Sequence, residues 1–197
     1  MIFIILGPPG CGKGTQAQLI ARKYNLAHIS TGQLLRKSYE EKTALGLKAY
    51  EWWGKGTWAP TEVVELILKE ELKKYPAGNF ILEGWPRFSE QTEILGNYLS
   101  EKGLKLDRAF YLDTPREDSL SRMKARVKRM IASGMTPRVD DKEPLMQERL
   151  ATYYRTVGPI LEYYRHLGIL EVVNNRSSIE VVFRQIEQKI DDYLQKR

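Results

Sequence analysis

One cysteine, Cys11, and two histidines, His28 and His166, are the only thiol and imidazole groups among the 197 residues. A single thiol excludes an intramolecular disulfide framework, and one cysteine with two histidines cannot complete a four-ligand structural zinc site. A chain without disulfides is expected in the cytoplasm. Long apolar runs are also missing. The opening run Met1–Leu6 is far below the ~18 residues that a membrane span needs, and no basic segment precedes it as in a secretory leader. There is no internal repeat, linker or low-complexity tract. One stretch lacks acid altogether: Ser119–Arg138 carries six basic residues (Arg122, Lys124, Arg126, Lys128, Arg129 and Arg138) and no Asp or Glu. The net charge is +6, from 31 Lys and Arg against 25 Asp and Glu, so that stretch holds the whole excess.

What is present reads as a folded domain. Charged residues make up 28% and hydrophobic residues 42% of the chain, a composition of globular rather than disordered proteins. At about 150 residues per domain, the length predicts one domain. The basic balance points to an anionic partner: nucleic acid, a membrane surface or phosphorylated small molecules.

Ile2-Phe3-Ile4-Ile5-Leu6 is apolar at every position, as in a parallel strand buried on both faces, and Gly7-Pro8-Pro9-Gly10 ends it. The pattern then predicts a helix over Lys13–Tyr24 with Leu19 and Ile20 inward, a weak strand at His28-Ile29, and a helix capped at Ser30-Thr31 and running to about Tyr39. Further helices are expected over Thr43–Trp53, from Pro60 through Leu72, over Glu90–Leu99 and from Pro115. Strands are expected at Asn79–Glu83, Arg108–Leu112 and Ile169–Val173. Gly134 and Pro137 mark a loop, and the helix over Glu143–Leu167 is expected to break or kink at Gly158-Pro159. Ile179, Val182, Phe183, Ile186 and Ile190 form one apolar stripe on a final helix. Five strands alternating with helices predict the doubly wound α/β class, a five-stranded parallel sheet with helices on both faces. Ser30–Ala59, helical throughout, and a basic loop near Arg126–Arg138 stand outside that alternation and are read as flaps.

The segment Gly7-Pro8-Pro9-Gly10-Cys11-Gly12-Lys13-Gly14-Thr15 lies between the first strand and the first helix. Glycines there expose backbone N–H groups to phosphate oxygens, the helix N-terminus adds its positive end, and Lys13 supplies a movable cation. Gly14 occupies the place where a Ser or Thr usually meets Mg²⁺, and Thr15 is the nearest hydroxyl. Cys11, beside Lys13 at a helix N-terminus, is a candidate for a reactive thiol, with filling of the loop as the other reading. The strand Asn79–Glu83 ends in an acid, Glu83, as the second strand of a nucleotide-phosphate site often does.

Four segments, in order along essentially the whole chain, resemble adenylate kinases of the short-lid type. Residues 7–16 are similar to that family's P-loop, where Gly follows Lys. Ser30-Thr31-Gly32-Gln33-Leu34-Leu35-Arg36 is similar to the start of its monophosphate-binding segment. Glu83-Gly84-Trp85-Pro86-Arg87 is similar to its Asp-Gly-aromatic-Pro-Arg signature. Arg138-Val139-Asp140-Asp141, with Arg149 and Tyr153-Tyr154, resembles the stretch after its lid.

The resemblance implies reversible phosphoryl transfer from MgATP to AMP, giving two ADP. It implies ATP phosphates at Gly10, Cys11, Gly12, Lys13, Gly14 and Thr15, Arg126 on ATP from the lid, and the backbone of Ser177 at the adenine of ATP. It implies AMP at Thr31, Arg36, the backbone of Thr57, Trp58 and Ala59, at Gly84, Trp85, Pro86 and Arg87, and at Gln91. Arg138 and Arg149 would bridge the two phosphate chains. Lys13, Arg87, Arg126, Arg138 and Arg149 are thus the expected catalytic cations. Mg²⁺ would enter with ATP, touching Thr15 and Glu83 only through water, without structural zinc. Residues 30–59 become an AMP-binding flap and 125–139 a lid on one domain spanning 1–197. The expected partners are ATP, AMP and ADP, with no nucleic acid or membrane, and the expected state is a monomer.

Thr31 and Gln91 resemble adenylate-specific members, whereas pyrimidine-specific members tend to carry Ala and Asn at those places. Glu83 departs from the family's Asp, Gln33 from its acidic residue, and Trp58-Ala59 from its Leu-Val. The rival readings are a UMP or CMP kinase, a basic P-loop ATPase acting on nucleic acid, and an ATP-binding regulatory protein without catalysis. All four tryptophans (Trp52, Trp53, Trp58 and Trp85) fall on the expected AMP side. AMP is therefore expected to change the intrinsic fluorescence more than ATP does; the reverse order in a titration would count against this placement.

Overall fold

In the computed structural model, which describes residues 1–196, all five residues of β1 (Ile2–Leu6) are buried. Side chains of a strand alternate between its faces, so Ile2, Ile4 and Leu6 enter one apolar cluster while Phe3 and Ile5 enter another. The chain continues through α1 (Lys13–Tyr24), β2 (Ala27–Ser30), α2 (Thr31–Glu40), α3 (Ala44–Trp53), α4 (Thr61–Leu72), β3 (Phe80–Glu83) and α5 (Glu90–Glu101). It ends with β4 (Arg108–Asp113), α6 (Arg116–Ala132), α7 (Glu143–His166), β5 (Leu170–Asn174) and α8 (Ile179–Gln195). The strands form one sheet in the order β2-β3-β1-β4-β5, with every neighbouring pair parallel.

Helices cover both faces of that sheet. α1 and α8 pack Ala17, Ile20, Val182, Ile186 and Ile190 against Phe3, Ile5, Phe110 and Leu112. On the other face, Val63 and Leu68 of α4, Leu95 and Leu99 of α5, and Ile160 and Tyr164 of α7 close over Ile4 and Leu82. Because neither face meets water, the inner strands carry no polar alternation. The doubly wound architecture predicted above is the one observed. No described helix is long and apolar enough to cross a membrane.

The differences from the sequence reading are local. The inner face of α1 is Gln16, Ala17, Ile20 and Ala21, while Leu19 is only partly covered. β3 begins at Phe80, since Asn79 takes a left-handed conformation (φ 64°) and its Oδ1 accepts from the Met1 amino group at 2.7 Å. β5 likewise begins at Leu170, one residue late. Ser30 stands at the N-cap of α2 without a side-chain cap bond. On α8 the buried stripe narrows to Val182, Ile186 and Ile190, and Ile179 is exposed.

Two larger expectations change. α7 runs unbroken through Gly158-Pro159. Pro159 deprives the Arg155 carbonyl of its partner, but Arg155, Gly158 and Pro159 all face solvent, so water can replace the lost bond. Val157, Ile160 and Tyr164 hold the inner side of the helix in place. The basic loop near Arg126–Arg138 is in its first half a helix, because α6 extends to Ala132 and ends at Gly134 (φ 74°). Lys, Arg, Met and Ala are good helix formers, and Glu117 and Asp118 near the start with Arg129 near the end suit the helix dipole.

The parallel register fixes where a site can form. Ile5 pairs with Glu83 and Ser30 pairs with Glu83, so β1, β2 and β3 end side by side. The chain leaves β1 with β3 on one side and β4 on the other, which opens a crevice at the carboxyl ends of the strands. Ile4, fully buried in the central strand, should carry much of this arrangement. Ile4→Ala is expected to lower the unfolding free energy by about 2–5 kcal/mol; denaturant titration measures it, and a loss well under that range would place the core elsewhere.

Candidate functional site

A cavity of about 680 Å³ opens at those strand ends. Its walls combine the glycine-rich loop after β1, the start of α2, the turn at Thr57–Ala59, the loop after β3, the charged faces of α6 and α7, and Asn175–Ile179. Every residue expected to bind a nucleotide lines this one cavity: Gly10–Thr15, Thr31, Arg36, Thr57–Ala59, Gly84–Arg87, Gln91, Arg126, Arg138, Arg149 and Ser177.

The glycine-rich loop wraps the Lys13 ammonium, which donates to the carbonyls of Gly7 (2.8 Å) and Pro8 (2.9 Å). Gly10 is needed for space as well as for its φ of 84°, since a Cβ there would stand 2.5 Å from the Ser119 carbonyl oxygen. The Cys11 side chain is 1% exposed: it packs under the loop with the α1–α8 core, and its Sγ accepts from the Lys13 ammonium at 3.6 Å. The thiol therefore fills the loop, and the reading of Cys11 as a reactive group is corrected. Its carbonyl faces the other way and accepts from Arg122 Nη1 (3.0 Å) and Asn175 Nδ2 (2.7 Å).

Arg122 and Asn175 line the cavity and were missed by sequence reasoning. Arg122 Nη2 also donates to the Asn175 carbonyl at 2.8 Å, which ties α6, the glycine-rich loop and the segment after β5 together. Arg122 precedes Arg126 by four residues, the spacing of one helix face, and that signal was available. Asn175 carries no comparable sequence signal.

The loop after β3 is organised by Thr31, Gln91 and Gly84. Thr31, buried, donates from Oγ1 to the Glu83 carbonyl at 3.3 Å. Gly84 has φ 86°, and a Cβ there would lie 2.5 Å from Thr31 Oγ1, so only glycine fits. Gln91 accepts from the Arg87 backbone N–H at 2.7 Å and donates to Thr61 Oγ1 at 2.9 Å. Those two bonds leave Gln91 one further Nε2 hydrogen for another group. Arg87 Nε donates to the Gly84 carbonyl at 2.8 Å, and its guanidinium stacks on the Trp58 ring, 3.6 Å from the centroid. The Trp85 side chain, by contrast, is buried in the larger core.

The cavity is strongly positive. Lys13, Arg36, Arg87, Arg122, Arg126, Arg129, Arg138 and Arg149 line it against Glu83 and Asp140. Burial and neighbouring guanidinium groups weaken the hold of several arginines on their protons. Arg87 falls to about 9 through burial and then Arg149, and Arg138 to about 10 through burial and then Arg126. Arg36 and Arg149 shift downward mainly through burial. All remain cations at neutral pH. Two carboxylates hold part of this charge in place: Asp141 pairs with Arg126 and accepts from the Arg138 backbone, and Asp140 pairs with Arg149. Such a field suits a ligand with several negative charges.

Glu83 sits opposite the first turn of α1. A Cβ on Gly14 would be 3.5 Å from Glu83 Oε2, and His28 Nε2 lies 3.4 Å from the same oxygen. Burial raises a carboxyl, but His28, the charge of Lys13 and the Ser30 hydroxyl outweigh it and hold Glu83 at about 2. An ionised carboxylate and a hydroxyl, Glu83 and Thr15, line the same cavity and are oxygen donors suited to a hard cation such as Mg²⁺. Among the described residues no three His, Cys, Asp or Glu gather as a metal-binding group, so a cation here needs ligands from elsewhere, such as phosphate oxygens.

Comparison with known proteins agrees with this geometry. A family model described as adenylate kinase matches residues 5–169. The chain is similar to the adenylate kinase of Clostridium tetani, 35% identical over 94% of this chain and 96% of that one. It is similar to those of Leptospira biflexa (38% identical, 95% and 98% covered) and Nitrobacter hamburgensis (38%, 98% and 93%).

The Glu83 carboxyl yields a pH test. Its folded value lies below its ordinary 4.5, so it adds stability above pH 4.5 that is lost as pH falls toward 2. The stability difference between the wild type and Glu83→Gln should therefore shrink across that window in denaturant unfolding. A difference that stays constant with pH would exclude this contribution.

Proposed function

The chain belongs to the adenylate kinase family, and from that premise we propose that it catalyses reversible phosphoryl transfer from ATP to AMP, giving two ADP. One observation carries the reading: the glycine-rich loop with Lys13 and the segment bearing Thr31, Arg36 and Arg87 open into a single arginine-lined cavity. Donor and acceptor phosphates can meet there without crossing a wall.

In this reading the backbone N–H groups of Gly10–Thr15 and the Lys13 ammonium take the ATP phosphates, as a helix N-terminus favours anions. Arg36 and Arg87 take the AMP phosphate, and Thr31, Gln91, Gly84 and the Thr57–Ala59 turn hold its nucleoside. The remaining Nε2 hydrogen of Gln91 meets an adenine acceptor. Arg126 takes ATP from the lid, Arg138 and Arg149 reach both phosphate chains, and the anions displace Asp140 and Asp141 from the guanidinium groups. Ser177 meets the adenine of ATP through its backbone. Residues 30–59 act as the AMP flap and 125–139 as the lid, whose first half is the end of α6. Thr15 and Glu83 would help hold Mg²⁺ brought by ATP, which would supply further charge neutralisation.

The chemistry needs no protein base. The second ionisation of a phosphate monoester lies at about 6, so AMP at neutral pH already presents a dianionic nucleophile. The obstacles are repulsion between anions and in-line alignment, which call for cations and positioning. Arginine suits both because its planar fork binds phosphate oxygens in pairs.

The test is ADP formation from MgATP with AMP, UMP, CMP or GMP as separate acceptors. AMP is expected to be far the fastest; preference for another acceptor, or no transfer, would overturn the reading. Lys13→Ala and Arg87→Ala are each expected to lower kcat about 10²-fold or more, and near-normal turnover in either would remove that residue from the mechanism.

A further inference from the structure

Trp58 and Arg87 make a contact that phosphate transfer by itself does not require. The Arg87 guanidinium lies 3.6 Å from the centroid of the Trp58 ring. A cation over an indole face is attracted by the negative face of the ring, and the attraction grows when water is excluded. Arg87 is half-buried, with Arg149 and Arg36 as like-charged neighbours. A guanidinium is planar, so its N–H donors lie along its edge and its faces carry none. The indole covers one face, and Nε is already bonded to the Gly84 carbonyl. What stays available is the edge bearing Nη1 and Nη2, the pair that grips a phosphate in bidentate fashion.

The two residues come from different walls of the cavity. Trp58 sits on the turn between α3 and α4, where the neighbouring Ala59 is buried and Thr57 Oγ1 donates to the Trp52 carbonyl at 2.8 Å. Arg87 follows β3, its backbone N–H held by Gln91. The stack therefore links the turn to the loop, and it fixes the rotation of the guanidinium as well as its position.

We propose that Trp58 is a positioning residue for the acceptor site, holding the Arg87 guanidinium by its face so that its edge meets the acceptor phosphate. This rests on the reading that Arg87 binds the phosphate of AMP. Trp58 then acts on acceptor affinity through Arg87 and leaves the donor site unaffected.

Calorimetric titration of AMP and of ATP separates these claims, using the wild type, Trp58→Leu, Trp58→Phe, Arg87→Met and the Trp58→Leu/Arg87→Met double variant. Trp58→Leu is expected to weaken AMP binding about tenfold and to leave ATP binding within about twofold, which also reports that the variant is folded. Trp58→Phe keeps an aromatic face and is expected to recover most of the loss. In the Arg87→Met background, Trp58→Leu is expected to have no further effect. Unchanged AMP affinity in Trp58→Leu, equal losses in the Leu and Phe variants, or an undiminished tenfold loss in the Arg87→Met background would each overturn the proposal. If Arg87→Met itself binds AMP as tightly as the wild type, the failure lies earlier, in the assignment of Arg87 to AMP.

Discussion

Repulsion between cations is the constraint around which the molecule is arranged. Lys13 and seven arginines line one cavity, and four of those arginines have a weakened hold on their protons. A buried charge loses hydration and needs partners in exchange. Three kinds of partner are present. Backbone carbonyls take Lys13, Arg122 and Arg87. Carboxylates take Arg126 and Arg149. An aromatic face takes Arg87. None of these cancels the field across the cavity, where only two acids line the wall. The uncancelled charge gives affinity for phosphates, and the same partners keep the side chains from scattering into solvent when no phosphate is there.

Only a rigid frame can hold like charges together, and the parallel sheet provides it. The central strands end in register, so the three segments leaving β1, β2 and β3 start from neighbouring points. Two apolar cores, one on each face, pin those strands against movement. The longer reach of α6 and α7 brings Arg122, Arg126 and Arg149 to the same place from the far side, and the loop between those helices adds Arg138. The polar contacts of the site thus depend on cores that contain almost no polar atoms.

Strand and helix positions were largely legible in the sequence because β1 is apolar at every residue, β3 and β4 carry charge only at their ends, and Gly or Pro separates the elements. The glycine-rich loop, Thr31, Arg36, Arg87, Gln91 and the later arginines were legible from motifs, and all reach one cavity. Contacts made by fold alone were not. Nothing in the sequence announces that Asn175 clamps the Cys11 carbonyl, 164 residues away. The inward turn of the Cys11 side chain was hidden for the same reason. A basic loop was expected near Arg126–Arg138, yet straight-chain Lys and Arg favour helix, and α6 continues to Ala132. At Gly158-Pro159 the breaker pair had no effect because it faces water while Val157 and Ile160 stay buried.

Glu83 brings the opposite charge into this positive site, beside the first turn of α1. In many P-loops a hydroxyl follows the lysine. Here Gly14 follows, with no side chain, and the Glu83 carboxylate stands 3.5 Å from where its Cβ would be. The oxygen donor at this corner therefore comes from β3, and it carries a full charge. His28 and Lys13 keep it ionised, so proton uptake does not relieve the repulsion it would exert on a polyphosphate at neutral pH. A divalent cation placed between a carboxylate and a phosphate would relieve it and turn the repulsion into attraction.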